Sequence, residues 1–164
     1  MSDDIIIRKA TSDDLEKIWN MNISDHIGDI RWVNWKKEYI GYNEKNMAHT
    51  FVTVIGGKPV GEVTLIFSPE CKAVSGNLLL ADGKNVANVN ALRIRKEYEG
   101  KGYVSKMMAK AEGYAKSLGY SKLTIGVDAK ETRNLAIYLH WNYNEFIFSE
   151  IDEGELVLYY QKNI

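Results

Sequence analysis

The chain has 164 residues, 45% of them hydrophobic and 26% charged, with 21 basic against 22 acidic side chains and a formal net charge of −1. That length suits one domain, residues 1–164, with a sizeable core, and the charge balance argues against a nucleic-acid partner, although a local basic patch can still hold an anion. A single cysteine, Cys71, excludes an internal disulfide and a cysteine-based zinc cluster.

The opening residues MSDDIIIRKA set a short apolar run beside acids, which is no signal peptide, and no run in the chain approaches membrane-spanning length. A cytoplasmic protein without a membrane partner is the expectation. The β-branched run over 5–8 predicts a first strand. Thr11-Ser12-Asp13-Asp14 is a capping cluster, and Leu15, Ile18, Trp19 and Asn22 at helical spacing predict a first helix over about 13–23. Trp32, Trp35 and Tyr39 fit a second helix ended by Gly41. Residues 49–55 and 60–67 predict a hairpin across the turn Gly56-Gly57-Lys58-Pro59, followed by a loop over 68–76.

A fourth strand is expected over 86–94. Its alternation is imperfect and carries Asn88 and Asn90, a pattern expected where a strand is bulged or lines a site. It runs through Gly100-Lys101-Gly102 into a third helix, whose Val104, Met107, Met108, Ala111, Tyr114, Ala115 and Leu118 share one face, with Gly119 as C-cap. Residues 122–127 read as a buried strand closed by Asp128. A fourth helix over 131–141 follows, with Asn142 able to cap it in the left-handed conformation, and strands over 145–151 and 155–160 end the chain. The order β-α-α-β-β-β-α-β-α-β-β predicts an α+β fold. Its central sheet is mixed and mostly antiparallel, with a parallel crossover from strand four through helix three to strand five and helices on both faces.

A glycine turn feeding a helix aims unpaired backbone N–H groups at one spot, where the helix dipole adds positive charge; that is a site for an anion, most often phosphate. By itself such a turn is a weak motif and reads more readily as a tight strand-to-helix connection.

The run Tyr98-Glu99-Gly100-Lys101-Gly102, the apolar strand end Leu92-Arg93-Ile94, and the helical pattern from Glu131 through Asn134 and Tyr138 to Asn142-Tyr143 together resemble the GNAT superfamily of acetyl-CoA-dependent N-acetyltransferases. The family's pyrophosphate motif is Arg or Gln, two residues, Gly, one residue, then Gly or Ala. In the register set by Tyr98 and Gly102, Glu99 takes the first position and Val104 the last; shifted by two, the first position falls on Glu97. Glu131 stands where the family usually has Asn, and Asn134 where it usually has Ala.

The resemblance implies acetyl transfer from acetyl-CoA, without a metal, to a primary amine of a small molecule or peptide in a ternary complex. The pyrophosphate would lie against Gly100, Lys101, Gly102 and the start of the third helix at Tyr103, Val104 and Ser105, with Lys106 nearby. The pantetheine arm would pair with the backbone of Leu92, Ile94 and Arg95, the Ile94 N–H would meet the thioester carbonyl, and Asn134 reads equally as a further cofactor contact or as a residue that only solvates its helix face. Tyr138 matches the family's helix-four tyrosine and is the expected general acid, since a phenol with a pKa near ~10 holds its proton at neutral pH. The base is left among Glu62, Asp128 and a water chain. A homodimer is compatible with this reading. The alternative is a non-catalytic acyl-CoA-binding module on the same fold, which Glu99 and Val104 favour.

Other residues carry plainer readings. His26, His49 and His140 lack metal-ligand spacing, Met107 and Met108 read as core, Cys71 as a loop bystander, and Lys36-Lys37 as a solvated face. Trp19, Trp32 and Trp35 read as packing or as an apolar lid over the acceptor, with weak periodicity favouring the lid. The acids Asp25, Asp29 and Glu38 hint at a cationic acceptor.

Overall fold

The computed structural model describes residues 4–164. Strand β1 (Ile5–Lys9) is followed by helices α1 (Ser12–Asp25) and α2 (Ile30–Glu44), then β2 (Ala48–Ile55), β3 (Lys58–Ile66) and β4 (Val86–Ile94). Helix α3 (Tyr103–Ser117), β5 (Lys122–Asp128), α4 (Thr132–His140), β6 (Glu145–Asp152) and β7 (Glu155–Asn163) complete the chain. The element order is the expected one, with two short 3-10 turns added at Lys72–Val74 and Lys96–Tyr98. The seven strands form one sheet in the order β1-β2-β3-β4-β5-β7-β6. Its β4–β5 pair is parallel, whereas β1–β2, β5–β7 and β6–β7 are antiparallel. The chain groups into two compact units, Met1–Leu65 with Ala91–Tyr114 and Ile66–Asn90 with Ala115–Ile164.

In the first unit, α1 starts with a capping box: Thr11 Oγ1 accepts from the Asp14 N–H at 3.1 Å, and Asp14 Oδ2 accepts from the Thr11 N–H at 3.0 Å. The guanidinium of Arg8 donates to both oxygens of Asp14, at 3.0 and 2.9 Å. Helix α2 does not end at Gly41. It continues to Glu44 because its last turn is held from outside: Tyr42 is buried, and Asn43 bonds both the N–H and the hydroxyl of Thr50 on β2. Tertiary contacts here override the low helix propensity of glycine. The β2–β3 turn is Gly56-Gly57 alone, both at positive φ, 56° and 78°, as a two-residue hairpin loop requires, so Lys58 and Pro59 belong to β3. Ile18, Trp19, Phe51, Val52, Val63, Leu65 and Met107 are sealed in this unit's core.

In the second unit, Leu123, Ile125, Ala87, Val89, Cys71 and Tyr143 are buried. Leu118 was expected on the buried face of α3 but is half exposed. The helix closes in a two-bond cap, Tyr120 N–H to Ala115 O at 3.1 Å and Gly119 N–H to Lys116 O at 3.0 Å, with Gly119 at φ 93°. That cap places Tyr120 against Phe67, with ring centroids 4.9 Å apart, while Leu118 stays outside. Asn142 adopts the left-handed conformation after α4, at φ 72°.

Burial alone would raise the Asp14 carboxyl, but the Arg8 and Thr11 hydrogen bonds and the Arg8 charge outweigh it and hold the carboxyl below its ordinary value. A depressed carboxyl stabilises the fold above its unfolded pKa and loses that contribution as pH falls through the folded one. Asp14→Asn should therefore cost about 1–2 kcal/mol at pH 7, a capping-sized loss, and the gap to the parent should shrink as urea unfolding is repeated below about pH 4.

Candidate functional site

The glycine turn leads directly into the start of α3. Gly100 and Gly102 lie at φ 74° and 82°, and a Cβ at either would meet no atom within 4 Å, so the side-chain side of each is open. The first N–H of α3 to bond back along the helix is that of Lys106, to Gly102 O at 3.1 Å. The N–H groups of Tyr103, Val104 and Ser105 thus have no carbonyl of the helix to bond. Lys101 places its Nζ 5.6 Å from the Tyr98 ring centroid, and Ser105 and Lys106 are exposed. Glu99, the residue at odds with the family motif, is exposed and caps the end of the 3-10 turn Lys96–Tyr98.

Upstream, β4 leaves its parallel partner. The β4–β5 ladder spans Val86↔Lys122 to Val89↔Ile125 among the described residues, and Ala91 then takes φ 51°, a conformation L side chains seldom adopt. This is the irregularity the Asn-bearing pattern implied. Beyond it the Arg95 N–H bonds Val60 O on β3 at 2.9 Å. In a strand, successive N–H groups point to opposite edges, so those of Ile94 and, two residues back, Leu92 point away from β3. Arg95 itself offers no backbone N–H to that edge, and its carbonyl accepts from the Tyr98 N–H at 2.9 Å. Its side chain is shared between Glu97 at 3.0 Å and Asp25 at 3.4 Å.

On β3, Gly61 lets β4 approach. A Cβ there would stand 2.9 Å from Ile94 Cδ1, 3.1 Å from Arg93 O and 3.1 Å from Met107 Cε. The next residue, Glu62, is a carboxylate with no exposed surface. Its Oε2 accepts from Asn22 Nδ2 of α1 at 2.7 Å. Arg93 Nη1 stands 3.3 Å from Oε1, close enough to pair charges but off line for a hydrogen bond, so both buried atoms lack a hydrogen-bond partner. The Arg93 guanidinium lies over Trp32 and Trp19, 4.8 and 5.4 Å from their ring centroids. Trp32 is stacked by His26 at 3.8 Å, and His26 Nδ1 is 2.8 Å from Asn22 O. Burial pushes the Glu62 carboxyl above its ordinary value, against the pull of the Arg93 charge and the Asn22 hydrogen bond.

Several expected roles change. Trp19 is 1% exposed and belongs to the core, leaving Trp32 and Trp35 as the partly exposed members of that group. Lys36 is not a free solvated charge: it bonds Asn20 at 2.8 Å and Glu16 at 2.6 Å, tying α2 to α1. Among the acids offered as a cationic acceptor's partners, Asp25 pairs with Arg95, and Asp29 is the N-cap of α2 and the partner of Arg31 at 2.8 Å. Asp128 accepts from the Lys130 N–H at 3.1 Å and closes a turn. Tyr138 and Asn134 lie on α4 in the second unit, where Asn134 is exposed and burial pushes the Tyr138 phenol up. Burial likewise pushes the Cys71 thiol up to about 11. Among the described residues no cluster of His, Cys, Asp and Glu is arranged to hold a metal ion.

Neither Arg93 nor Asn22 was singled out from sequence as a site residue. The available signal was Glu62 itself, an acid in the apolar run VGEVTLIF, which can be buried only against a partner charge.

The model of the acetyltransferase (GNAT) family matches residues 9–143. The chain belongs to that family. Among curated proteins, none matches it in sequence. Among solved structures, an N-acetyltransferase from Staphylococcus aureus has a TM-score of 0.72 at 17% identity, covering 98% of each chain. A spermidine N-acetyltransferase variant from Vibrio cholerae gives 0.70 at 18%, covering 97% of this chain and 93% of its own. The PaiA N-acetyltransferase of Thermoplasma acidophilum, solved with coenzyme A, gives 0.62 at 16%, covering 97% and 99%. At these identities the likeness is one of fold, and it matches the GNAT arrangement of strands and helices.

Removing Arg93 from this GNAT chain leaves Glu62 buried without its countercharge. Arg93→Met should cost about 3 kcal/mol at pH 8, and Glu62→Gln combined with it should recover at least half of that. A raised carboxyl stabilises the fold below its unfolded pKa and loses that contribution as pH rises through the folded one, so the loss in Arg93→Met should be smaller at pH 6. Urea unfolding of the single and double variants at both pH values checks this.

Proposed function

We propose that this chain, acting as one domain over residues 1–164, is an N-acetyltransferase that moves an acetyl group from acetyl-CoA to a primary amine by direct attack in a ternary complex. The observation that carries the reading is the edge of β4. Its Leu92 and Ile94 N–H groups point away from β3 beyond the end of the β4–β5 ladder, and the same segment runs into an open glycine turn at the start of α3.

The residues present fit the cofactor. N–H groups of Tyr103, Val104 and Ser105, with Lys101 and Lys106 as nearby charge, suit a pyrophosphate, and the turn has space where a side chain would otherwise stand. The β4 edge at Leu92 and Ile94 suits the amides of a pantetheine arm, in the manner of an added strand. Bound acetyl-CoA supplies an activated thioester. The Ile94 N–H is assigned to stabilise the charge that develops on its carbonyl oxygen. An alkylammonium with a pKa near ~10.4 must lose a proton before it attacks. Glu62, acting through one water, is assigned that proton, because its raised carboxyl suits a base and Asp128 is engaged in a turn. Tyr138 is assigned as the acid that protonates the leaving thiolate, from its match to the family's helix-four tyrosine. Asn134 is kept as a cofactor contact. A cytoplasmic setting goes with this reading; among the described residues no helix is long and apolar enough to cross a membrane.

The second reading, an acyl-CoA-binding module without turnover, is favoured by the acid that either register of the turn motif places at the Arg/Gln position. Thermal shift with acetyl-CoA at ~100-fold its Kd should add ~2.7 kcal/mol of stability, and Gly102→Val, strained at φ 82°, should remove most of it. Release of CoA thiol across a panel of primary amines separates enzyme from module: binding without release supports the module. Tyr138→Phe should lower kcat by about 10²-fold or more, with acetyl-CoA affinity little changed. Turnover at the parent rate would remove Tyr138 from the mechanism.

A further inference from the structure

The strongest unexplained feature is the guanidinium of Arg93. It is held in place from three sides, by the Trp32 face at 4.8 Å, the Trp19 face at 5.4 Å and the Glu62 carboxylate at 3.3 Å. Yet among the described residues it donates no well-directed hydrogen bond. Guanidinium carries five N–H donors in a planar fork, and burying even part of it without acceptors is costly. One third of the side chain is exposed, while Nη1 is buried, so the exposed part is the remainder of the side chain. Glu62 Oε1 is likewise fully buried and lacks a hydrogen-bond partner. A fixed, aromatic-backed and under-used arginine fork is the geometry that takes a carboxylate by paired hydrogen bonds.

Its surroundings select the sign of charge. Arg93 is on β4, and Arg95 lies two residues on, just past the end of that strand. Arg95 and Asp25 already neutralise one another, and Asp29 is committed to Arg31 and to the α2 cap. Asp25 and Asp29 are thus already paired, whereas Arg93, its charge paired with Glu62, keeps N–H donors that hydrogen-bond nothing among the described residues.

Resting on the acetyltransferase reading, we infer that the acceptor is an amine that also carries a carboxylate, as an amino acid does, and that Arg93 is the specificity residue that binds this carboxylate. Trp19 and Trp32 position the fork, and Glu62 sets its orientation from behind. The carboxylate lies a few bonds from the amine, since Arg93 immediately precedes Ile94, the residue assigned to the reacting carbonyl.

The test compares matched acceptors on the full chain loaded with CoA. Isothermal titration with a panel of α-amino acids, their carboxamides and the corresponding decarboxylated amines reads recognition without turnover. At least one amino acid should bind about tenfold or more tighter than its carboxamide, the size expected for losing a charged hydrogen-bond partner. Arg93→Lys, which keeps the charge and loses the fork, should cut that ratio to about threefold or less. In acetyl transfer the change should appear mainly in KM for the carboxylate-bearing acceptor. Trp32→Leu, which leaves Arg93 in place, should also reduce the ratio if the cradle sets the fork. Equal binding of acids and carboxamides, no binding of any amino acid, or an unchanged ratio in Arg93→Lys would overturn the inference. Carboxylate-dependent binding without release of CoA thiol on any amine would sustain it and sink the transferase reading instead.

Discussion

The structure depends on β4 losing its parallel partner part-way along. Pairing with β5 runs through Val89, and Ala91 then adopts a left-handed backbone that breaks the regular pleat. A strand flanked by partners on both edges has all its N–H groups satisfied, and where it leaves one partner the row on that edge is exposed. From that point the direction of every side chain and amide on β4 is fixed by its remaining bonds to β3. The Arg95 N–H is spent on Val60 O, so the Ile94 N–H is turned the other way. The strand then passes through a short 3-10 turn into the two positive-φ glycines and α3.

This geometry has a close-packing condition on the β3 side. Gly61 sits under Ile94 and Met107, with less than a methyl group's room, so the neighbour of Glu62 must be the smallest residue. The carboxylate that follows is fully buried, and its desolvation is offset by Asn22 and by Arg93 from β4. The same two strands therefore set the backbone edge assigned to the cofactor and bring the Glu62–Arg93 pair together. Such a pair contributes little net stability compared with an apolar one of the same shape. A buried charged pair of this kind is easier to understand as a functional constraint than as a source of stability.

The fold was legible because its signals are local. The capping box at Thr11, the Gly56-Gly57 turn, the Gly119 cap and the alternating strands each act over a few residues, and their order alone implied the sheet. The errors arose where distant contacts decided the outcome. Gly41 failed to stop α2 because Asn43 is anchored on Thr50, and Leu118 turned outward because the cap favours Tyr120 against Phe67. The glycine turn could also be read from spacing, since the need for positive φ is written into the residue type. The Glu62–Arg93–Asn22 cluster could not. Its members come from β3, β4 and α1, up to 70 or so positions apart in sequence, and nothing in any one segment names the others.

That distinction bears on where function is written in this chain. On the proposed reading the cofactor side rests on backbone groups: the Glu99 side chain is exposed, and the N–H groups at the start of α3 do not depend on it. On the same reading the acceptor side rests on side chains held by tertiary contacts, where one substitution changes charge and shape together. A family that shares a backbone cradle and varies a side-chain cluster can keep one donor while changing acceptors, which is why matches at 16–18% identity share a fold while the acceptor must be read from this chain's own residues. In this chain the arginine above Glu62 has the strongest claim to that role, since it is fixed in place on both aromatic faces and still has donors to give.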